Sequence, residues 1–197
     1  MFTLNNFLLR LNGLITGQSN GQGSGVGFLK TMPIHLTELK TTAGLTLTGA
    51  TAPLVAALET YLLGVQWAAS NATAALLIVP IPYDYDEITD KIIINMQVNS
   101  AGNTDNPTMS AVVYNKRVGT AVSANLAPSA SSAIPKSATA ATAAANRTIT
   151  ISGKGIKGGD TINILLSPSA HTSDAVNLYS LAIQYYSTLV AFDPNLR

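Results

Sequence analysis

The feature that most constrains this chain is the alternation in Lys91–Asn99. Ile92, Ile94, Met96 and Val98 occupy one parity, and Ile93, Asn95, Gln97 and Asn99 the other. A period of two puts successive side chains on opposite faces of a strand, one face on a core and the other nearer water. Thr108–Val118 is again built of β-branched, aromatic or small residues, and the alternation recurs in Arg147–Ser152 and in Asp160–Leu166, where Ile162, Ile164 and Leu166 face inward. Val176–Leu189 reads as one long strand whose apolar parity shifts between Leu178 and Leu181, as a β-bulge requires. Ala74–Val79, Val65–Ala69, Ile34–Leu39 and Leu45–Thr48 complete the set, with an edge strand allowed near Thr120–Ala124. Runs of turn formers such as SAGNTDNP (100–107) and GKGIKGGD (153–160) separate them. The first of these reads as the loop of a hairpin joining 91–99 to 108–118. Pro53–Leu63 is ambiguous; Leu54, Leu58 and Leu62 share a helical stripe, so it leans to helix. About eight strands with little helix define an all-β fold, a jelly-roll-like β-sandwich.

Residues 1–30 are of a different kind from 31–197. Phe2, Leu4, Phe7, Leu8, Leu11, Leu14 and Ile15 give the start of the chain an apolar character, the last five at helical spacing, and Gly17–Gly27 is a linker by composition. So short an amphipathic segment does not hold itself folded in water and needs a surface to lie on. Arg10 falls inside the apolar run, the wrong place for the basic segment of a secretory signal. We therefore read 1–30 as an anchoring arm and 31–197 as the sandwich.

Charged residues make up only 11% of the 197-residue chain, against 47% hydrophobic, and the net charge is +1. A polar surface made of Ser, Thr, Asn and Gln tends to associate. No basic stripe with interleaved aromatics points to nucleic acid. The uncharged window Thr60–Tyr83 is interrupted by Gln66, Asn71, Pro80 and Pro82, which argues against a membrane span. Nor is a cofactor expected: the glycines of 17–27 do not form a dinucleotide fingerprint, and GKGIKGGD is not a phosphate loop.

The inventory for chemistry is thin. There is no cysteine, and His35 and His171 stand apart. Ser169, His171 and Asp174 spell a triad within one turn, too close in sequence to converge and without a nucleophile elbow. Asp84, Asp86, Glu87 and Asp90 have the oxygen chemistry of a Ca²⁺ site but not the ordered spacing of an EF-hand, and a turn whose carboxylates take backbone N–H groups is the simpler reading. No catalytic or metal-binding residue is assigned, and the chain is not expected to be an enzyme.

The stretch from Pro80 to Arg117 resembles a β-sandwich domain of structural proteins in tailed-phage heads. The similarity lies in Pro80, Pro82, Asp84, Tyr85 and Asp86, then Gly102, Asn103, Thr104, Asp105, Pro107 and Thr108, then Tyr114, Lys116 and Arg117. It implies a virion protein on the capsid exterior that decorates and cements the shell. Its partners would be the major capsid protein, reached by Phe2–Ile15, and further copies of itself, a homotrimer above a dimer. The alternative is a carbohydrate- or receptor-binding sandwich of a head fibre or tail tip. That function calls for an exposed aromatic platform drawn from Tyr83, Tyr85, Tyr114, Tyr179, Tyr185 and Tyr186.

Overall fold

A computed structural model describes residues 28–49, 51–59, 62–127, 131–136 and 144–188. The apolar positions of the arm, Phe2 to Ile15, lie outside them. Among the described residues there are ten strands: β1 (Phe28–Ile34), β2 (Leu54–Glu59), β3 (Leu62–Trp67), β4 (Ala75–Pro80), β5 (Lys91–Ser100), β6 (Thr108–Lys116), β7 (Ser131–Ala133), β8 (Ala145–Ser152), β9 (Thr161–Pro168) and β10 (Val176–Ser187). One sheet has the order β2-β3-β10-β5-β8, with β1 also paired to β10, and the other β4-β9-β6-β7. From β3 onward the chain passes from one sheet to the other at every connection except β6–β7, which pair within the smaller sheet, so 3-10-5-8 faces 4-9-6-7. This is the jelly roll expected from the strand list. β1 begins at Phe28, so residues 28–30 belong to the sandwich.

The inward parity is the one the alternation assigns. Ile92, Ile94 and Val98 of β5, Ile162, Ile164 and Leu166 of β9, and Ile183 of β10 are all fully buried. Met109 and Val113 of β6 and Trp67 of β3 join them. Burying that apolar area between two sheets is the main stabilising force. The bulge lies where the parity shift put it, between Leu178 and Ser180.

Four local expectations are corrected. The strands β5 and β6 do not form a hairpin; β5 pairs with β10 and β8, and β6 with β9 and β7. The run SAGNTDNP therefore carries the chain from one sheet to the other. The described residues of Pro53–Leu63 are not helical. Their leucine stripe is split between β2 and β3, and Leu58 packs where a Cβ on Gly64 would stand, a close approach that only glycine allows. Ile34–Leu39 is not a strand: β1 ends at Ile34, and a 3-10 turn at Leu36–Glu38 drops Leu39 into the core. Thr120–Ala124 forms no strand either. Ser123 and Leu126 N–H groups bond the Asn115 and Val113 carbonyls beside β6, and the ladder on that edge is made instead by β7.

The connections are held by carboxylates. Asp160 lies 4% exposed at the start of β9, and its oxygens accept from Arg117 Nε (2.9 Å) and Nη2 (2.8 Å), Asn115 Nδ2 (2.9 Å) and the Lys157 N–H (2.9 Å). Burial works against its charge, but these bonds and the Arg117 charge outweigh it and hold the carboxyl below its ordinary range. Asp105 and Asp174 clamp the β5–β6 and β9–β10 loops reciprocally. Asp105 Oδ2 takes the N–H groups of Ser173 and Asp174, and Asp174 Oδ2 takes those of Thr104 and Asp105.

Candidate functional site

The bulge in β10 organises the outer face of the larger sheet. Before it, Val176 and Leu178 point inward; after it, Leu181, Ile183 and Tyr185 do. The outward set that results is Ser180, Ala182, Gln184 and Tyr186. Register then assembles rows across neighbouring strands: Thr31–Gln184–Ile93–Thr150, Pro33–Ala182–Asn95–Thr148, and Ser180–Gln97–Asn146. A shallow groove of about 370 Å³ crosses these rows, lined by the outward side chains of Thr31, Pro33, Asn95, Asn146, Ser180 and Gln184 among others. None of its lining residues is charged. Gln184 Nε2 donates to Thr31 Oγ1 at 3.0 Å, which fixes the orientation of the amide.

Where β3 meets the bulge, a polar network continues from the groove. Gln66 Nε2 donates to Asn177 Oδ1 (2.9 Å) and Asn177 Nδ2 to Asn99 Oδ1 (3.1 Å). Asn99 and Asn177 are buried on the outer side of the sheet, and Tyr179 interacts with both and with Glu59. Burial raises the Tyr179 hydroxyl above its ordinary pKa, so it stays a donor at neutral pH. Buried amides that are bonded to one another hold a fixed arrangement of donors and acceptors beside the groove.

The tyrosines do not form a common platform. Tyr85 and Tyr185 are buried, their ring centroids 6.5 Å apart, and Tyr179 is 8% exposed. Tyr83 is 92% exposed but sits in the β4–β5 crossover, against Gly158 and Gly159. Tyr114 is on the outer face of the smaller sheet. Of these six, Tyr186, half-buried opposite Leu29 of β1, and the buried Tyr179 lie on the face that carries the groove.

The acidic group is divided among structural tasks. Asp84 accepts from Lys30 Nζ (2.6 Å), Ser187 Oγ and Tyr185 Oη. Its carboxyl is held low despite burial, by the hydrogen bonds of Lys30 and Ser187 and by the Lys30 charge. Asp86 takes the Ile88 N–H and the Thr89 hydroxyl in its own turn. Asp90 has left-handed backbone (φ 53°), and burial raises its carboxyl pKa, opposed by Lys154. Among the described residues no group of three or more His, Asp or Glu side chains is placed to hold a metal ion.

The Ser169–His171–Asp174 set does not converge. The buried His171 ring faces the carbonyl oxygens of Ser169 (Nδ1, 2.8 Å) and Ala68 (Nε2, 3.1 Å), and its own carbonyl accepts the Ser70 N–H (2.6 Å). Ser169 Oγ accepts the Thr108 N–H, and Asp174 is committed to the loop clamp. His171 therefore fastens the β9–β10 loop to the end of β3.

An outer-face groove on a jelly-roll sandwich, lined by amides, hydroxyls and aliphatic side chains, defines the chain as a β-sandwich with an uncharged surface site. No family model matches the sequence, and no curated protein does. Solved structures with a similar fold include the CBM22-1 xylan-binding domain of Xyn10C from Paenibacillus barcinonensis, at 15% identity and TM-score 0.48, covering 82% of this chain and 97% of that one. The xylan-binding module CBM15 matches at 12% identity and TM-score 0.47, covering 80% and 97%. A CBM4 structure matches at 7% identity and TM-score 0.41, covering 88% and 98%. Likeness at this level extends to the β-sandwich and to no individual residue.

Proposed function

We propose that this chain is a carbohydrate-binding β-sandwich whose ligand lies along the groove of the larger sheet. The observation that carries the reading is the uncharged lining. Asn95, Asn146 and Gln184 each offer a paired donor and acceptor, and Thr31 and Ser180 add hydroxyls that do both. Such a set matches the vicinal hydroxyls of a neutral glycan. It supplies no charge for a phosphate, a nucleic acid or an acidic peptide. The groove is open and shallow, as suits a chain lying across several strands, and Tyr186 offers a ring at its β1 side.

Affinity electrophoresis through a panel of neutral polysaccharides tests this. The native chain is expected to be retarded by at least one of them. Asn95→Ala and Gln184→Ala should each weaken binding about three- to tenfold, the equivalent of one hydrogen bond, without changing the melting temperature. Retardation by none of the panel, or undiminished retardation of both variants, would overturn the proposal.

A second reading, a decoration protein of a viral shell, is favoured by a different observation. The smaller sheet carries an apolar row, Leu76–Leu165–Val112, and the exposed Ile78 on its outer face, on a chain with only 11% charged residues, a surface suited to packing in an assembly. Binding to shells stripped of this protein, and the oligomeric state in solution, are its tests.

A further inference from the structure

The outward positions of β4, β9 and β6 fall into rows by register: Leu76–Leu165–Val112, then Ile78–Asn163–Tyr114, then Pro80–Thr161–Lys116. Ile78 is 56% exposed, and Leu76, Leu165, Val112 and Tyr114 are half-buried. Lys116, at the margin, is the one charged residue among these nine positions. An outward sheet face ordinarily alternates to polar residues, as the larger sheet does with Asn95, Gln97, Thr148 and Thr150. The smaller sheet has one wholly aliphatic row there instead, Leu76–Leu165–Val112, with Ile78 and Tyr114 beside it, and such a surface gains by being covered.

We infer that this face is the docking surface for the chain's own segment Phe2–Ile15. The first argument is chemistry. Phe7, Leu8, Leu11, Leu14 and Ile15 share one helical stripe, and Arg10 is the one charge between Met1 and Gly27. A segment of that kind requires an apolar surface.

The second argument is size. Fourteen residues of helix extend about 21 Å, and a six-residue strand such as β4 about 20 Å, so stripe and face match in length. The third is reach. β1 enters the sandwich at the end where β4 leaves its sheet. Phe28 is opposite Ser187, Tyr85 bridges to Ser187, Lys30 pairs with Asp84, and the Ile81 N–H bonds the Asp160 carbonyl. Thr16–Gly27 is a twelve-residue, glycine-rich connection with a root-mean-square span of about 20 Å and a limit of about 40 Å. That covers the path from Phe28 around the end of a sandwich whose sheets are about 10 Å apart. The proposal is independent of the glycan groove, which is on the other sheet.

The chain has no cysteine, so pairs introduced into the full chain report without background. Leu8→Cys with Ile78→Cys, and Leu11→Cys with Val112→Cys, are treated with a short bis-maleimide and compared with Leu8→Cys paired with Asn95→Cys on the groove face. Intramolecular bridging of the first two pairs, at least tenfold above the third and unchanged on dilution, is the expected result. Equal bridging of all three pairs would show a tether with no docking. Bridging that yields covalent dimers and falls on dilution would place a second copy or a partner on the face. Either result overturns the proposal.

Discussion

Replacing Asp160 with alanine removes four hydrogen bonds at once. The losses are unequal. Arg117 is 34% exposed at its side chain and keeps the Gly155 carbonyl, so much of its share is recovered by water. Asn115 is buried and its Oδ1 already has no hydrogen-bond partner among the described residues, so losing Asp160 leaves the amide further unsatisfied. The N–H of the exposed Lys157 is also released, and water can take it up. The buried amide, at about 1–2 kcal/mol, with small remainders from Arg117 and Lys157, gives about 2 kcal/mol. For a domain of this size that is a fall of about 4–8 °C in melting temperature. The effect has a pH signature. The folded carboxyl is held below its ordinary value, so its contribution is complete above the unfolded value, near pH 4, and is lost as pH falls through the folded value. Urea unfolding of Asp160→Ala and the native chain at pH 7 and again below pH 4 should show a wide gap that narrows with acid. A gap below about 0.5 kcal/mol at pH 7, or one that does not narrow, would refute this account.

Tyr85 supplies the opposite case. Its hydroxyl is buried with no hydrogen-bond partner among the described residues, and burial followed by the charges of Asp90, Asp86 and Glu87 pushes its pKa far above the ordinary tyrosine value. Tyr85→Phe should raise stability by about 1 kcal/mol in chemical denaturation; a loss of that size would mean the hydroxyl has a partner. At Gly102 an added Cβ would overlap Asp174 Oδ1. Gly102→Ala should therefore open the Asp105–Asp174 clamp and speed amide exchange at Thr104 and Asp105, and unchanged protection there would count against the clamp.

What was legible in the sequence was whatever depends on one strand at a time. Ile92, Ile94, Met96 and Val98 carry their parity unaided, as do Ile162, Ile164 and Leu166, and the bulge beyond Leu178 shows as a break in that parity. Pairing was not legible, because SAGNTDNP ends a strand in the same way whether the chain folds back or crosses to the other sheet. Leu54, Leu58 and Leu62 satisfy a helical period by chance of spacing, and only the approach of Leu58 to Gly64 shows two strands. The groove was hidden for a related reason. Thr31, Asn95, Asn146 and Gln184 come from four strands, are ordinary residues, and meet only through register. The tyrosines drew attention as residue types, yet the fold spends Tyr85 and Tyr185 on its interior.

The position of β10 governs how the molecule comes into being. This strand pairs with β1, β3 and β5, yet it is synthesised after all of them. Phe28 waits for Ser187, and Ile94 for Ile183. Until β10 arrives, the facing edges of β3 and β5 have no strand between them, and β1 has none of its ladder. High contact order of this kind slows folding and leaves sheet edges open in the nascent chain. The larger sheet, and the groove upon it, is complete only once Val176–Ser187 is in place.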